Sequence, residues 1–234
     1  MEQPHYLLRK KAKIKKLQIM KQFRFFTMLM LCVAAMGFTM TSCLSDTDDD
    51  NNKVKPLTPA DKAAMIAEMA GEYNGYIYFV NDSSRMDSIL VHSAVTASDS
   101  LFTIYDFPYR ALTPGIADEN LRNIITNAGE GIFKDVLQFY ANTSKDKAFY
   151  TFMALPLTAD QLERTFNYDG KEHTIKLKYA AQIANYNIYG ASSIYYPCGE
   201  FYKNEMIVYI LFNTIEVDGD VRTLNRVLYY YGKK

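Results

Sequence analysis

Few side chains in this sequence combine a reactive group with the neighbours that would set it to work. There are three cysteines and three histidines. Cys43 ends the run Met40-Thr41-Ser42-Cys43 behind a basic and then apolar segment, which places its thiol for acylation rather than catalysis. Cys198 lies in Tyr195-Tyr196-Pro197-Cys198-Gly199, a turn-like setting. A nucleophilic cysteine there would need a base to make thiolate, so His92 or His173 would have to approach it. Neither neighbourhood matches a cysteine-hydrolase signature, and Cys198 reads as a partly buried, unreactive thiol. His92 shares its expected strand face with Leu90 and Ala94 and reads as a packing residue. His173, just after Asp169-Gly170, reads as an exposed strand-end residue. Carboxylates are scattered through turns, so no acid–base pair of fixed separation can be assigned. The densest acidic turn, Asp218-Gly219-Asp220 with Glu216 before it, offers too few oxygens for a calcium loop and reads as a solvated hairpin turn. No zinc-binding spacing is present. The sequence assigns no catalytic residue, no metal ligand and no cofactor.

Aromatic residues are the other chemical resource. Once the leader (residues 1–42) is set aside, 18 Tyr and 10 Phe remain, with no Trp anywhere in the chain. Tyr186, Tyr189, Tyr195, Tyr196 and Tyr202 fall in one stretch with Asn185 and Asn187. Tyrosine offers a flat apolar face and a hydroxyl, which suits glycans and protein interfaces. The plainer reading is a sheet protein that uses tyrosine at half-buried positions. Asp87-Ser88-Ile89 and Asp99-Ser100-Leu101 resemble the Asp-Ser/Thr-apolar O-glycosylation sites of exported proteins from gut anaerobes, a loose pattern expected about once by chance.

The segments that position Cys43 define an exported protein. Arg9, Lys10, Lys11, Lys13, Lys15, Lys16, Lys21 and Arg24 precede an apolar run of 14 residues from Phe25 to Phe38. That length is short for a spanning helix and fits a signal-peptide core. Met20-Lys21-Gln22-Phe23-Arg24 is a complete basic start in itself, so residues 1–19 fit an upstream start codon. Thr41-Ser42-Cys43 resembles the lipobox of bacterial lipoproteins, with Met40 in place of the usual leucine. The resemblance implies diacylation of Cys43, cleavage before it, and attachment to the membrane through acyl chains alone. Ordinary secretion with cleavage nearby is the competing expectation.

Residues 43–56 then read as an acidic, disordered tether, Leu44-Ser45-Asp46-Thr47-Asp48-Asp49-Asp50 being nearly devoid of apolar content. Thirteen flexible residues span about 20 Å. Its pattern resembles the export signal of surface lipoproteins, and a simple spacer is the alternative. Residues 1–42 carry eight Lys/Arg and one Glu, leaving 18 basic and 25 acidic residues. The mature charge is therefore about −7, and a basic nucleic-acid footprint is missing.

Residues 57–234 are long enough for one domain with its own core. Thr58-Pro59-Ala60-Asp61 opens a helix that closes one end of the following sheet, with Gly71 placed to end it. Period-two patterns follow over 73–80, 87–97 and 101–107, and a second helix starts at Asp118-Glu119-Asn120. Further strands are expected over 132–140, 148–155, the Asp169-Gly170 hairpin, and the pair 205–217 and 221–231. The last pair is apolar on both faces and should lie centrally, with the early helices or another layer covering its outer side. Nine or ten antiparallel strands and two short helices predict a barrel or a strongly curved sandwich.

A lipobox, a short helix, and Gly71-Glu72-Tyr73-Asn74-Gly75-Tyr76 entering the first strand resemble small lipoprotein families of unknown function with calycin-like or lipocalin-like folds. The resemblance implies a barrel over Leu57–Lys234 and brings no catalytic residues. The expectation is a non-catalytic lipoprotein of the outer membrane, facing the periplasm or the cell surface, that binds a small molecule, a glycan or a protein, and not nucleic acid. Two other readings stay open: a structural or accessory subunit of an outer-membrane assembly, and an enzyme whose site forms from distant residues.

Overall fold

The computed structural model describes residues 56–140, 149–157, 161–188 and 191–234. The leader, Cys43 and the acidic tether lie outside them.

Helix α1 (Pro59–Met69) begins as the sequence implies. The Thr58 hydroxyl accepts the Asp61 amide at 3.1 Å while the Asp61 carboxylate accepts the Thr58 amide at 3.1 Å, a reciprocal cap. Met65, Ile66 and Met69 turn inward and Ala63 stays exposed. Gly71 does not cap the helix. Ala70 is the last cap residue, and Gly71 opens the first strand at φ +131°, a conformation that strains any residue with a Cβ.

Eight strands wind up and down in chain order around the barrel: β1 (Gly71–Val80), β2 (Met86–Thr96), β3 (Leu101–Pro108), β4 (Glu130–Phe139), β5 (Phe149–Pro156), β10 (Cys198–Tyr202), β11 (Glu205–Val217) and β12 (Asp220–Lys233). Every neighbouring pair is antiparallel, and β12 against β1 completes the ring. Closure removes the free edges that so wide a sheet would otherwise present. The fold is consistent with a calycin-like barrel. Between β3 and β4 run a 3-10 turn (Tyr109–Leu112) and helix α2 (Glu119–Asn127), capped by the Asp118 carboxylate on the Leu121 amide at 3.0 Å.

Two hairpins interrupt the meander between β5 and β10. The first, β6 (Gln161–Tyr168) and β7 (Lys171–Tyr179), turns at Asp169-Gly170, both at positive φ. The second is β8 (Ile183–Ile188) with β9 (Ala191–Tyr195). Strand β11 is the seam for both. Residues 205–208 pair with β10, whereas from Phe212 onward, across a register shift at Phe212/Thr214, the same edge pairs with β7. Residues 206–212 are buried without interruption, as a strand covered on both faces requires. The outer cover comes from the β8–β9 hairpin rather than from the early helices: Tyr195 packs on Tyr209 at 5.6 Å.

Candidate functional site

A calycin-like barrel invites a search for an internal ligand chamber, but here rings occupy the interior. Phe107 stacks on Phe133 at 5.5 Å, Phe212 meets Phe107 edge-on at 5.9 Å, and Phe102 lies 5.0 Å from Tyr230. Toward the other strands Tyr150 stacks on Phe201 at 5.8 Å, and Met65, Met69 and Tyr73 join the same core. Glycines make room for these rings. A Cβ on Gly199 would come within 2.4 Å of both the Ile207 carbonyl and the Phe152 ring. Polar groups buried in this core include the Tyr230 hydroxyl on the Ser93 hydroxyl at 2.5 Å, the Tyr73 and Tyr109 hydroxyls, and Asp135. Asp135 follows Phe133 on the inward face of β4, with Oδ1 unpartnered, and burial pushes its carboxyl up to about 8.

The outer wall carries the more accessible chemistry. In an antiparallel sheet, directly opposed residues share a face, so the register can be followed across strands. One row runs Ser88, Tyr78, Tyr229, Tyr209 over β2, β1, β12 and β11. The next runs Leu90, Tyr76, Tyr231, Ile207, Glu200, Thr151, ending on β10 and β5. The rings form an unbroken band: Tyr76 to Tyr78 at 6.1 Å, Tyr78 to Tyr229 at 5.6 Å, Tyr229 to Tyr209 at 5.5 Å. It continues from Tyr209 to Tyr195 at 5.6 Å and on to Tyr186 at 6.1 Å. Tyr76 and Leu90 are exposed, Tyr78, Tyr229 and Tyr231 half-buried, and Tyr209 is buried beneath the β8–β9 hairpin, whose own Tyr195 is buried against it. The band thus starts open and runs under a cover. At its covered margin lies Glu200, half-buried, whose carboxyl burial raises to about 7.

Of the sequence-marked residues, the structure brings together His173 with Asp218 and Tyr186 with Tyr195. Cys198 opens β10 rather than a turn and is half-buried; burial, then Glu200, push its thiol up to about 12, so it is protonated at neutral pH and a poor nucleophile. The two histidines exchange the expected roles. His92 does not pack: its side chain is exposed, and Nδ1 lies 2.9 Å from Asp106 Oδ2. Asp106 also accepts the His92 amide at 2.7 Å, filling the ladder where β3 shifts register after Ile104. His173 is buried rather than exposed, because Phe166 and Tyr168 on β6 flank its ring at 5.9 and 6.2 Å and Asp218 takes Nδ1 at 2.6 Å. The acidic turn is therefore more than solvated: Asp218 also accepts the Thr174 amide at 2.8 Å and pins the β11–β12 turn to β7. Of the tyrosines singled out, Tyr186 and Tyr195 belong to the band. Tyr196 is exposed, Tyr202 packs on Phe149 at 6.4 Å, and Tyr189 is outside the described residues. Among the described residues no cluster of three or more His, Cys, Asp or Glu could hold a metal ion.

The band's main members were not among the candidates read from sequence. Their signal was there, in two Tyr-x-Tyr pairs, Tyr76/Tyr78 and Tyr229/Tyr231, whose period of two puts each pair on one strand face. Asp135 was also legible, since Phe133, Asp135 and Leu137 alternate on an apolar phase.

Fold and surface together define the class as an eight-stranded up-and-down barrel with aromatic rings packed in its interior, an inserted pair of hairpins and an aromatic outer wall. A family model described as "Domain of unknown function (DUF4840)" matches residues 68–217, and the chain belongs to that family. The match ends with β11, leaving β12, the strand that completes the ring, beyond it. No curated protein and no solved structure matches the chain.

Proposed function

We propose that this is a non-catalytic recognition protein, held at the outer membrane by acyl chains on Cys43, that binds its ligand on the outer tyrosine band rather than inside the barrel. The observation that carries the reading is the pairing of a ring-filled interior with a continuous row of tyrosines on the wall. Tyrosine faces supply apolar contact at little cost in side-chain entropy, and their hydroxyls add hydrogen bonds at the rim. Burial keeps the Cys198 thiol protonated, and each histidine is held by a carboxylate, His92 by Asp106 and His173 by Asp218, which favours binding over catalysis. The lipobox, the acidic tether and the mature charge support an envelope location with no nucleic-acid partner.

Saturation-transfer NMR of the purified protein against a library of saccharides, small amines and peptides tests this. Hits should be lost in the Tyr78→Ala/Tyr229→Ala double variant while circular dichroism stays unchanged. Hits that survive that variant would place recognition elsewhere and defeat the proposal.

A further inference from the structure

The covered margin of the band has a composition that selects among ligands. Glu200 points outward from β10, opposite Thr151 on β5 and Ile207 on β11, and Tyr209 lies diagonally across from it. No described lysine or arginine pairs with it. The nearby cations are engaged elsewhere, Lys233 with Glu205 at 3.2 Å and Lys203 over the Tyr202 ring at 4.8 Å. The described titratable groups that bear on Glu200 and its surroundings are neutral. Burial pushes the Cys198 thiol and the Tyr140 hydroxyl up to about 12, and raises Tyr209 well above its ordinary range. Thr151 does not ionise. A half-buried carboxylate without a cation carries an uncompensated desolvation cost, which a bound positive charge would relieve. Tyrosine faces attract cations through the negative face of the ring. A neutral saccharide would use the rings and leave the carboxylate uncompensated.

Resting on the band as the recognition surface, we propose that the site takes a small organic cation carrying an alkylammonium group, seated on the Tyr229 and Tyr231 faces with its charge toward Glu200. Because burial holds the Glu200 carboxyl at about 7, its ionised fraction rises between pH 6 and pH 8, and affinity for a cation should rise with it. Cys198, Tyr140 and Tyr209 titrate above that window and do not contribute to the slope.

The test is calorimetric and NMR titration of the purified protein with choline and with 3,3-dimethyl-1-butanol, which has choline's shape without its charge. Choline should bind about ten-fold more tightly, the ratio expected when about 1.4 kcal/mol depends on charge. Its affinity should increase several-fold from pH 6 to pH 8. Glu200→Gln, a near-isosteric change, should abolish the pH dependence and most of the preference while thermal melting confirms the fold. Equal binding of the two probes, or an undiminished preference in Glu200→Gln, would overturn the ammonium assignment and leave the band intact as a surface for neutral ligands. No choline binding at pH 8 would also overturn it, and the tyrosine double variant judges the band separately.

Discussion

Asp135 should make this barrel lose stability as the solution becomes more alkaline, and replacing it with Asn should remove that loss. The carboxyl is 2 % exposed, faces inward beside Phe133 and has an unpartnered oxygen. Burial raises it from 3.8 to about 8. A carboxyl whose folded value lies above its unfolded one binds a proton more tightly in the folded state. Its contribution is therefore whole below the unfolded value and drains away as pH rises toward the folded value. Each pH unit in that window is worth about 1.4 kcal/mol, so the loss between pH 4 and pH 7 is on the order of 4 kcal/mol. That is a large share of the roughly 5–15 kcal/mol by which domains are usually stable. Glu200 acts in the same direction from 4.5 up to about 7, so the difference between wild type and Asp135→Asn isolates the buried group. Urea melts near pH 4, close to the unfolded value, should show the two proteins nearly equal, because a neutral acid and an amide have similar shape and polarity. At pH 8 the variant should melt at clearly higher urea. A midpoint difference that stays constant from pH 5 to pH 8 would refute the argument and mean that Asp135 is solvated or paired in solution.

Other perturbations follow from packing and charge. Phe212→Ala removes a fully buried ring that meets Phe107, Phe133 and Tyr179, and should cost about 3–5 kcal/mol in the same melts. Gly199→Ala sets a methyl against the Ile207 carbonyl and the Phe152 ring where β10 joins the barrel, and should destabilise by about 1–3 kcal/mol. Asp218 has the opposite sign to Asp135: the Thr174 amide, then His173, hold its carboxyl below the usual range, so its stabilisation is present above the unfolded value and lost as pH falls. Asp218→Asn should accordingly flatten the acid side of the stability profile, which acid titration followed by circular dichroism would show. Cys43→Ala should release the protein from the membrane fraction or leave it unprocessed; an unmodified Cys43 in mature membrane-bound protein, seen by mass spectrometry, would contradict the anchor.

Much of the barrel was readable because its periodicity is local. The Asp-Gly turns at 169–170 and 218–219, the capped start at Thr58-Pro59 and the two-sided apolar run of β11 each fix an element from a few neighbours. Gly75 was also legible as a close approach, and an added Cβ there would meet the Tyr231 carbonyl at 2.6 Å. What could not be read depends on which strand lies beside which. His92 and His173 exchanged roles because their environments are set by Asp106 and Asp218, 14 and 45 residues away in the chain. The tyrosine band joins residues 76–78 to 229–231 only once β12 closes on β1, a contact no local pattern encodes. Which element covers β11, the early helices or another layer, stayed open in the sequence because hairpin β8–β9 interrupts an otherwise sequential meander.

The central claim is that recognition happens on the wall and not in the interior. Side-chain-labelled NMR of the purified protein, titrated with a ligand from the saturation-transfer screen, tests it most directly. The account predicts that the largest shifts fall on Tyr76, Tyr78, Tyr229 and Tyr231, with Phe102, Phe133 and Tyr230 unmoved. Large shifts on those interior rings, with the four outer tyrosines unchanged, would contradict it.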